Sequence, residues 1–348
     1  RFSNSLLLNQ LTPINSIPYM SRQVKTVARI SGNKLLILFS FLIISWMISC
    51  SGAQETFTDR ESAQPRPGIL FTSDRNNNWD IYLIQPDGSG LTRMTDSPEV
   101  DADPAWSPNG QTIAFRSRRD GSSDIFFMDS DGSNPVNLIN DPEMSLDDEF
   151  APQWNPDGET LSLYTDRFPP RGSCLSGFHQ IAMLIREDGN YQIDLFDTIP
   201  GEQYASTWSP DGRFLAFNSA CGKDGFELFM YDSQTGDTKR ITSETVSHTH
   251  PAWSHDGRFL AFAKSSGGNN EIYLLDLDSN QQTQLTNNPA NDTMPSWSPD
   301  DSQIAFVSNR EGNKDIYIMN ADGSDVFNLT NHPADDWYPS WSPISNNP

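Results

Sequence analysis

Ser206–Phe217 reads STWSPDGRFLAF, and the chain repeats the phrase with small changes. PAWSPNGQTIAF starts at Pro104, PQWNPDGETLSL at Pro152, PAWSHDGRFLAF at Pro251, PSWSPDDSQIAF at Pro295, and a shorter PSWSP at Pro339. The six tryptophans, Trp106, Trp154, Trp208, Trp253, Trp297 and Trp341, stand 48, 54, 45, 44 and 44 residues apart. A period of that length corresponds to one four-stranded propeller blade. Within a period the Trp stretch reads as the first strand. An Asn-Gly or Asp-Gly pair follows (Asn109-Gly110, Asp157-Gly158, Asp211-Gly212, Asp256-Gly257), expected to supply the positive φ of a tight hairpin. The second strand is IAF-like, as at Ile113–Phe115 and Ile304–Phe306, and the third is DIYLI-like, as at Ile81–Ile84 and Ile316–Met319. A fourth strand ends in Leu-Thr or similar. The near-continuous apolar runs suit sheets covered on both faces, with each Trp a wedge between blades.

The ends of the repeat array complete one another. GILFTS from Gly68, DIYLIQ from Asp80 and LTRMT from Leu91 are strands two to four of a blade without a first strand. YPSWSP from Tyr338 is a first strand with no blade after it. The expectation is an all-β fold: a six-bladed β-propeller of four-stranded antiparallel blades over 68–345. The C-terminal strand pairs into the N-terminal blade, which leaves no open edge.

Residues 1–49 form a different object. They carry five basic and no acidic side chains, whereas the rest holds 18 basic and 46 acidic ones. Such an acidic surface repels nucleic acid and anionic lipid over a Debye length of about 8–10 Å, so no nucleic-acid partner is expected. Met20 opens a basic stretch through Arg22, Lys25, Arg29 and Lys34, and Leu35–Ser49 is an unbroken apolar run that stops at Cys50. That is the layout of an export signal, and it is short for a spanning helix, which needs about 20 apolar residues. Met20 is read as the true start. WMISC resembles the bacterial lipobox, in which the Cys is lipidated; Ser49 fits, while Met47 departs from the usual Leu. The resemblance implies lipidation of Cys50, with an uncleaved anchor or ordinary secretory signal as the competing reading. Residues 50–67 are then a polar, flexible tether. Ser51 after the Cys favours the outer membrane. The expected location is exported, either periplasmic or attached to the outer membrane through the lipid alone.

The phrase P-x-W-S-P-D-G, followed by I-A-F, S-x-R-x-G-x-x-D-I-Y, D-G and L-T, resembles the repeat of TolB-type β-propellers. Phe306–Thr330, FVSNREGNKDIYIMNADGSDVFNLT, matches that pattern almost throughout. The likeness spans Gly68 to Pro343 and is specific for fold rather than function. It occurs in the Tol–Pal envelope protein, in propellers attached to peptidases, and in oligogalacturonate lyases. The 67 residues ahead of the repeats are not expected to hold the α/β domain that TolB carries at its N-terminus. G-x-S-x-G, H-E-x-x-H and P-loop patterns are absent from the sequence.

Five residues before each Trp stand Asp101, Glu149, Gln203, His248, Asp292 and Asp336. If the blades are equivalent, these form a ring at the channel mouth. That ring reads either as a site for a divalent cation or for a partner's Lys or Arg, or as six residues capping their own turns. His248 and His250 form the one local pair with metal-ligand character, and the lyase resemblance directs attention to Gln203 and His248; no metal ligand set is assigned. In blade three Asp166–His179, DRFPPRGSCLSGFH, replaces a short turn and offers Phe168, Arg171 and Phe178 to a partner. Cys174 in that loop and Cys221 in the equivalent loop of blade four are expected to form a disulfide, given adjacent blades and an exported compartment. The reading is a non-catalytic envelope lipoprotein that binds a protein or peptide and needs no cofactor. The competing readings are a polysaccharide (oligogalacturonate) lyase-like enzyme with a metal in the channel, and a structural or sensory surface module.

Overall fold

The W-S-P-D-G phrase folds the way its side chains dictate. Ser107 Oγ accepts the amide of Thr112 (2.9 Å) and donates to Asn109 Oδ1 (2.8 Å), while the Gly110 N–H bonds the Ser107 carbonyl (2.9 Å). Ser209, Ser254 and Ser298 donate in the same way to Asp211, Asp256 and Asp300. The expected dipeptide turn is corrected in one respect. Only the glycine is left-handed, with φ of 68° at Gly110 and 70° at Gly212; the Asn or Asp before it is not. Pro108, Pro156, Pro210 and Pro299 fix φ near −65° at the preceding position, which builds a wider turn than a two-residue hairpin. In blade six Asp301 (φ 58°) takes the glycine's place.

The computed structural model describes residues 66–139, 148–166, 179–187, 190–196, 199, 201–220 and 225–343. Blade one begins with β1 (Ile69–Ser73), β2 (Asp80–Ile84) and β3 (Thr92–Arg93). Blade two is β4 (Asp101–Trp106), β5 (Thr112–Ser117), β6 (Asp124–Asp129) and β7 (Val136–Asn137). Blade three is β8 (Glu149–Trp154), β9 (Thr160–Thr165), β10 (Gln180–Glu187) and β11 (Asn190–Leu195). Blade four is β12 (Glu202–Trp208), β13 (Phe214–Ala220), β14 (Glu227–Asp232) and β15 (Thr238–Arg240). Blade five is β16 (His248–Trp253), β17 (Phe259–Ser266), β18 (Asn269–Asp276) and β19 (Gln281–Gln284). Blade six is β20 (Asp292–Trp297), β21 (Gln303–Ser308), β22 (Asp315–Asn320) and β23 (Phe327–Asn328).

The last strand, β24 (Asp336–Trp341), returns to blade one and pairs antiparallel with β1, aligning Ile69 with Trp341 and Ser73 with Asp336. The six four-stranded antiparallel sheets and the closure between chain ends are as the repeat count requires.

Six hydrophobic clusters hold the ring together, each drawn from two neighbouring blades. One of them joins blade six to blade one, through Val307 and Ile318 against Ile69 and Phe71. The phenylalanines of the second strands, Phe71, Phe115, Phe217, Phe262 and Phe306, are fully buried, each worth about 1.5–3 kcal/mol. Each repeat Trp packs into one of the same clusters, with Trp154, Trp253 and Trp341 only partly buried. The closing Thr of the L-T pairs ties strand three to the fourth-strand end. Thr95, Thr242, Thr286 and Thr330 accept the amides of Ile81, Leu228, Ile272 and Ile316 at 2.9–3.0 Å.

Candidate functional site

The first strands β4, β8, β12, β16, β20 and β24 surround the axis and line a cavity of about 420 Å³ with their Trp and Pro side chains. Each is bulged at the same place, where its register against the second strand slips. The bulged residues are Asp103, Ala151, Ala205, His250, Met294 and Tyr338, all with φ between 45° and 55°. Left-handed backbone is uncommon for non-glycine residues and costs roughly 1–3 kcal/mol each. A proline follows five of the six, and it disfavours the right-handed α region for the residue before it. All six bulged residues border the cavity.

The ring anticipated five residues before each Trp heads these strands, and Asp101, Glu149, Gln203, His248, Asp292 and Asp336 are all fully buried. In three blades the chain itself supplies the basic side chain. Arg119 Nη2 donates to both oxygens of Asp101 (3.0 and 2.9 Å), Arg75 to both of Asp336 (3.0 Å), and Arg310 to Asp292 (2.9 Å). Each Arg also donates through Nε to the Ser two residues earlier, Ser117, Ser73 or Ser308. Each guanidinium lies over two rings, as Arg119 does over Phe115 (5.5 Å) and Phe126 (5.0 Å). Burial raises the Asp336 carboxyl above its usual range, with Arg75 pulling against it.

The other three ring members are held differently. Gln203 donates to the Ile199 carbonyl (2.6 Å), and His248 Nδ1 lies 3.4 Å from Glu227, with burial holding the imidazole below its ordinary pKa. Glu149 accepts from Thr165 (3.4 Å). Among the described residues, no group of three or more His, Cys, Asp or Glu side chains is placed to hold a metal.

Aromatic side chains collect beside the bulges of blades three and four. Phe150, beside the bulge of β8, stacks on Tyr164 of β9 (5.0 Å), and His179 meets both rings edge-on (5.6 and 5.4 Å). Tyr204 continues the row toward blade four, 6.2 Å from Tyr164, 4.6 Å from Phe226 and 6.3 Å from His250. At the blade-two end, Arg116 lies 5.3 Å from the Phe150 ring and bonds Asp103 Oδ2 through Nε (2.8 Å). These aromatic side chains are half-buried. Burial raises the Tyr204 phenol to about 12 and those of Tyr164 and Tyr338 further, so all three stay hydrogen-bond donors.

A family model described as the TolB beta propeller domain matches residues 67–168 and 181–347. The chain belongs to the TolB β-propeller family. Among solved structures, TolB from Acinetobacter baumannii is 22% identical over 81% of this chain and 68% of that one, with a TM-score of 0.64. Putative TolB from Agrobacterium tumefaciens is 20% identical over 80% of this chain and 94% of that one (TM-score 0.58). An oligogalacturonate lyase in complex with manganese is 16% identical over 76% and 74% (TM-score 0.51). At these identities the likeness is one of fold. No curated protein matches the sequence significantly.

For this TolB-family chain, repeat covariation is the signal that explains the ring. An acid precedes the Trp wherever an Arg stands in the S-x-R position, as with Arg75, Arg119 and Arg310; in the sequence Arg167 holds that position opposite Glu149. Cys221 and Ser266 stand there in blades four and five, opposite Gln203 and His248. Arg116, Tyr164 and Tyr204 were not singled out from sequence. Their signal is one irregular column, the residue after the IAF motif: Thr72, Arg116, Tyr164, Asn218, Ala263 and Val307. Cys50, Phe168, Arg171, Cys174, Phe178 and Cys221 lie outside the described residues. Asp166 and His179, which flank the long loop sequence, stand beside Glu149 and the aromatic row: Thr165 pairs with Glu149, and His179 packs on Phe150.

Proposed function

We propose that the protein is a non-catalytic, exported propeller of the bacterial cell envelope that binds a protein or peptide in its axial channel. The observation that carries this reading is the continuous aromatic row of Phe150, Tyr164, Tyr204 and Phe226 across blades three and four, with the stacked pair Trp337 and Tyr338 at the same level of β24. Aromatic side chains present large, rigid contact area at low entropy cost, which is the composition of peptide- and protein-binding surfaces. The likeness to TolB proteins supports an envelope setting. The basic and apolar stretch ending at Cys50 supports export and lipid anchoring.

The test places a photo-crosslinking residue at Phe150 or Tyr204, with a rim control at Val326, in cells carrying the full chain. A discrete partner adduct from the two channel positions and none from the rim is expected. Equal labelling from the rim overturns the reading, as does release of unsaturated product from polygalacturonate by the purified protein with added manganese. Cys50→Ser should move the protein to the aqueous phase of a detergent partition, and continued membrane association refutes the anchor.

A further inference from the structure

Arg116 is the unusual cation of this molecule. Its Nε is held by Asp103 Oδ2 (2.8 Å), but among the described residues its two terminal nitrogens have no hydrogen-bond partner. Among the described residues, Arg75, Arg119 and Arg310 of the second-to-third-strand turns each commit Nη2 to a ring carboxylate. The Arg116 side chain is 19% exposed, so its fork is neither free in solvent nor consumed by the fold.

Asp103, 4% exposed and locked in a left-handed bulge, fixes the guanidinium from behind. Its Oδ2 also accepts the Ala151 amide (3.3 Å), tying that grip to the next blade. Bonding at Nε leaves the end-on edge of the guanidinium open, the geometry that takes a carboxylate through two parallel N–H bonds.

The surroundings match the same ligand. Tyr164 stacks on Phe150 (5.0 Å), and Tyr338, the bulged residue of β24, borders the cavity with Asp103. Next to the fork lies the partly exposed ring of Phe150.

We infer that Arg116, held by Asp103 beside the Phe150 ring, is a binding site for a carboxylate presented beside an aromatic side chain, as on a peptide C-terminus or an acidic residue next to Phe or Tyr. The inference rests on the peptide-binding reading above. A cationic ligand would meet the guanidinium first and is disfavoured at this position. In a protein of net charge −23, the site selects one acidic group by local geometry against the long-range field.

The test uses the full chain and saturation-transfer NMR titrations of N-acetyl-phenylalanine against its carboxamide, which has the same shape without the charge. The acid is expected to bind about tenfold more tightly, a difference within the range of a charge-assisted hydrogen bond. Arg116→Gln should bring the acid down to the amide's level, and Arg116→Lys should restore only part of the preference. Phe150→Ala should weaken acid and amide alike. Because Arg116→Gln strands Asp103, the double variant R116Q/D103N must show the same lost preference.

Two further probes separate sources of the carboxylate. Acetyl-Phe-Glu-amide carries it on a side chain, and galacturonate carries it without an aromatic ring. Equal binding of acid and amide, a preference that survives R116Q, or binding of galacturonate alone overturns the inference. So does binding of none of the probes at millimolar concentration. Crosslinks from Phe150 that persist in R116Q without any acid preference would sink this inference and leave the peptide-binding reading intact. An acid preference without channel crosslinks would do the reverse.

Discussion

Replacing Arg119 by Met should destabilise the protein far more than replacing its partner Asp101 by Asn, although both break the same ion pair. Asp101 is fully buried, and Arg119 holds both of its oxygens. Removing the cation strands a carboxylate that water does not reach, a change worth about 3–5 kcal/mol. Asp101→Asn leaves a different situation. The Arg119 side chain is 23% exposed, stays bonded to Ser117, and keeps its place over Phe115 and Phe126, so it recovers solvation at small cost. That substitution should cost about 1–2 kcal/mol. The double variant R119M/D101N should fall near the single Asn variant, a coupling of about 2 kcal/mol or more. Urea unfolding followed by tryptophan fluorescence gives all three midpoints, with unchanged slope as the control for comparable transitions. A loss below about 1 kcal/mol for R119M, or equal losses for the two single variants, would show that the carboxylate is not stranded and refute the reasoning.

Three other perturbations follow from the same contacts. Asp301 occupies a left-handed position, yet its carboxylate accepts the amides of His255 (2.7 Å) and Asp256 (2.8 Å) in blade five. Asp301→Gly relieves roughly 0.5–1 kcal/mol of backbone strain but should still lose about 1 kcal/mol net and speed amide exchange at those two residues, while Asp301→Asn, with one acceptor oxygen for the two amides, should keep one bond and expose the other amide to faster exchange. Gly212→Ala places a Cβ 2.7 Å from Asn155 Oδ1 at a φ of 70°, and should cost about 2–3 kcal/mol by thermal unfolding. Adding Asn155→Ser should recover the clash but not the strain. His250, held by burial to about 4 against an ordinary 6.5, takes up its proton later in the folded than in the unfolded chain. Stability therefore rises with pH from about 4 to 6.5 and is lost on acidification across that window. The full shift corresponds to about 3 kcal/mol, and roughly half of that for an imidazole with an edge on the channel. His250→Gln should remove that part of the slope between urea midpoints at pH 4.5 and 6.5; an unchanged slope refutes the assignment.

The scaffold is legible in the sequence because its determinants are local and repeated six times. Trp spacing sets the blade, Ser-Pro-Asp-Gly sets the turn, and a first strand without a blade meets a blade without a first strand. The ring of acids was also legible, but its partners were not read. Asp101 and Arg119 stand 18 residues apart, and only the antiparallel register that aligns Asp101 with Ser117 brings them together. The bulge at Asp103, Ala151, Ala205, His250, Met294 and Tyr338 leaves no trace in residue type, since such backbone ordinarily selects Gly or Asn. The aromatic row and Arg116 belong to positions where the repeats disagree, and disagreement carries no pattern until the blades are superposed in space.

Closure through β24 also orders events in time. The strand that completes blade one is the last described strand of the chain, so β1 has no inner neighbour while the five later blades are being made. The backbone edge of β1 and the face that later meets blade six stay uncovered for most of synthesis. A chain released early therefore carries an adhesive strand that a finished one conceals. The ring distinguishes complete from incomplete molecules by whether that strand is still accessible to a chaperone or a protease.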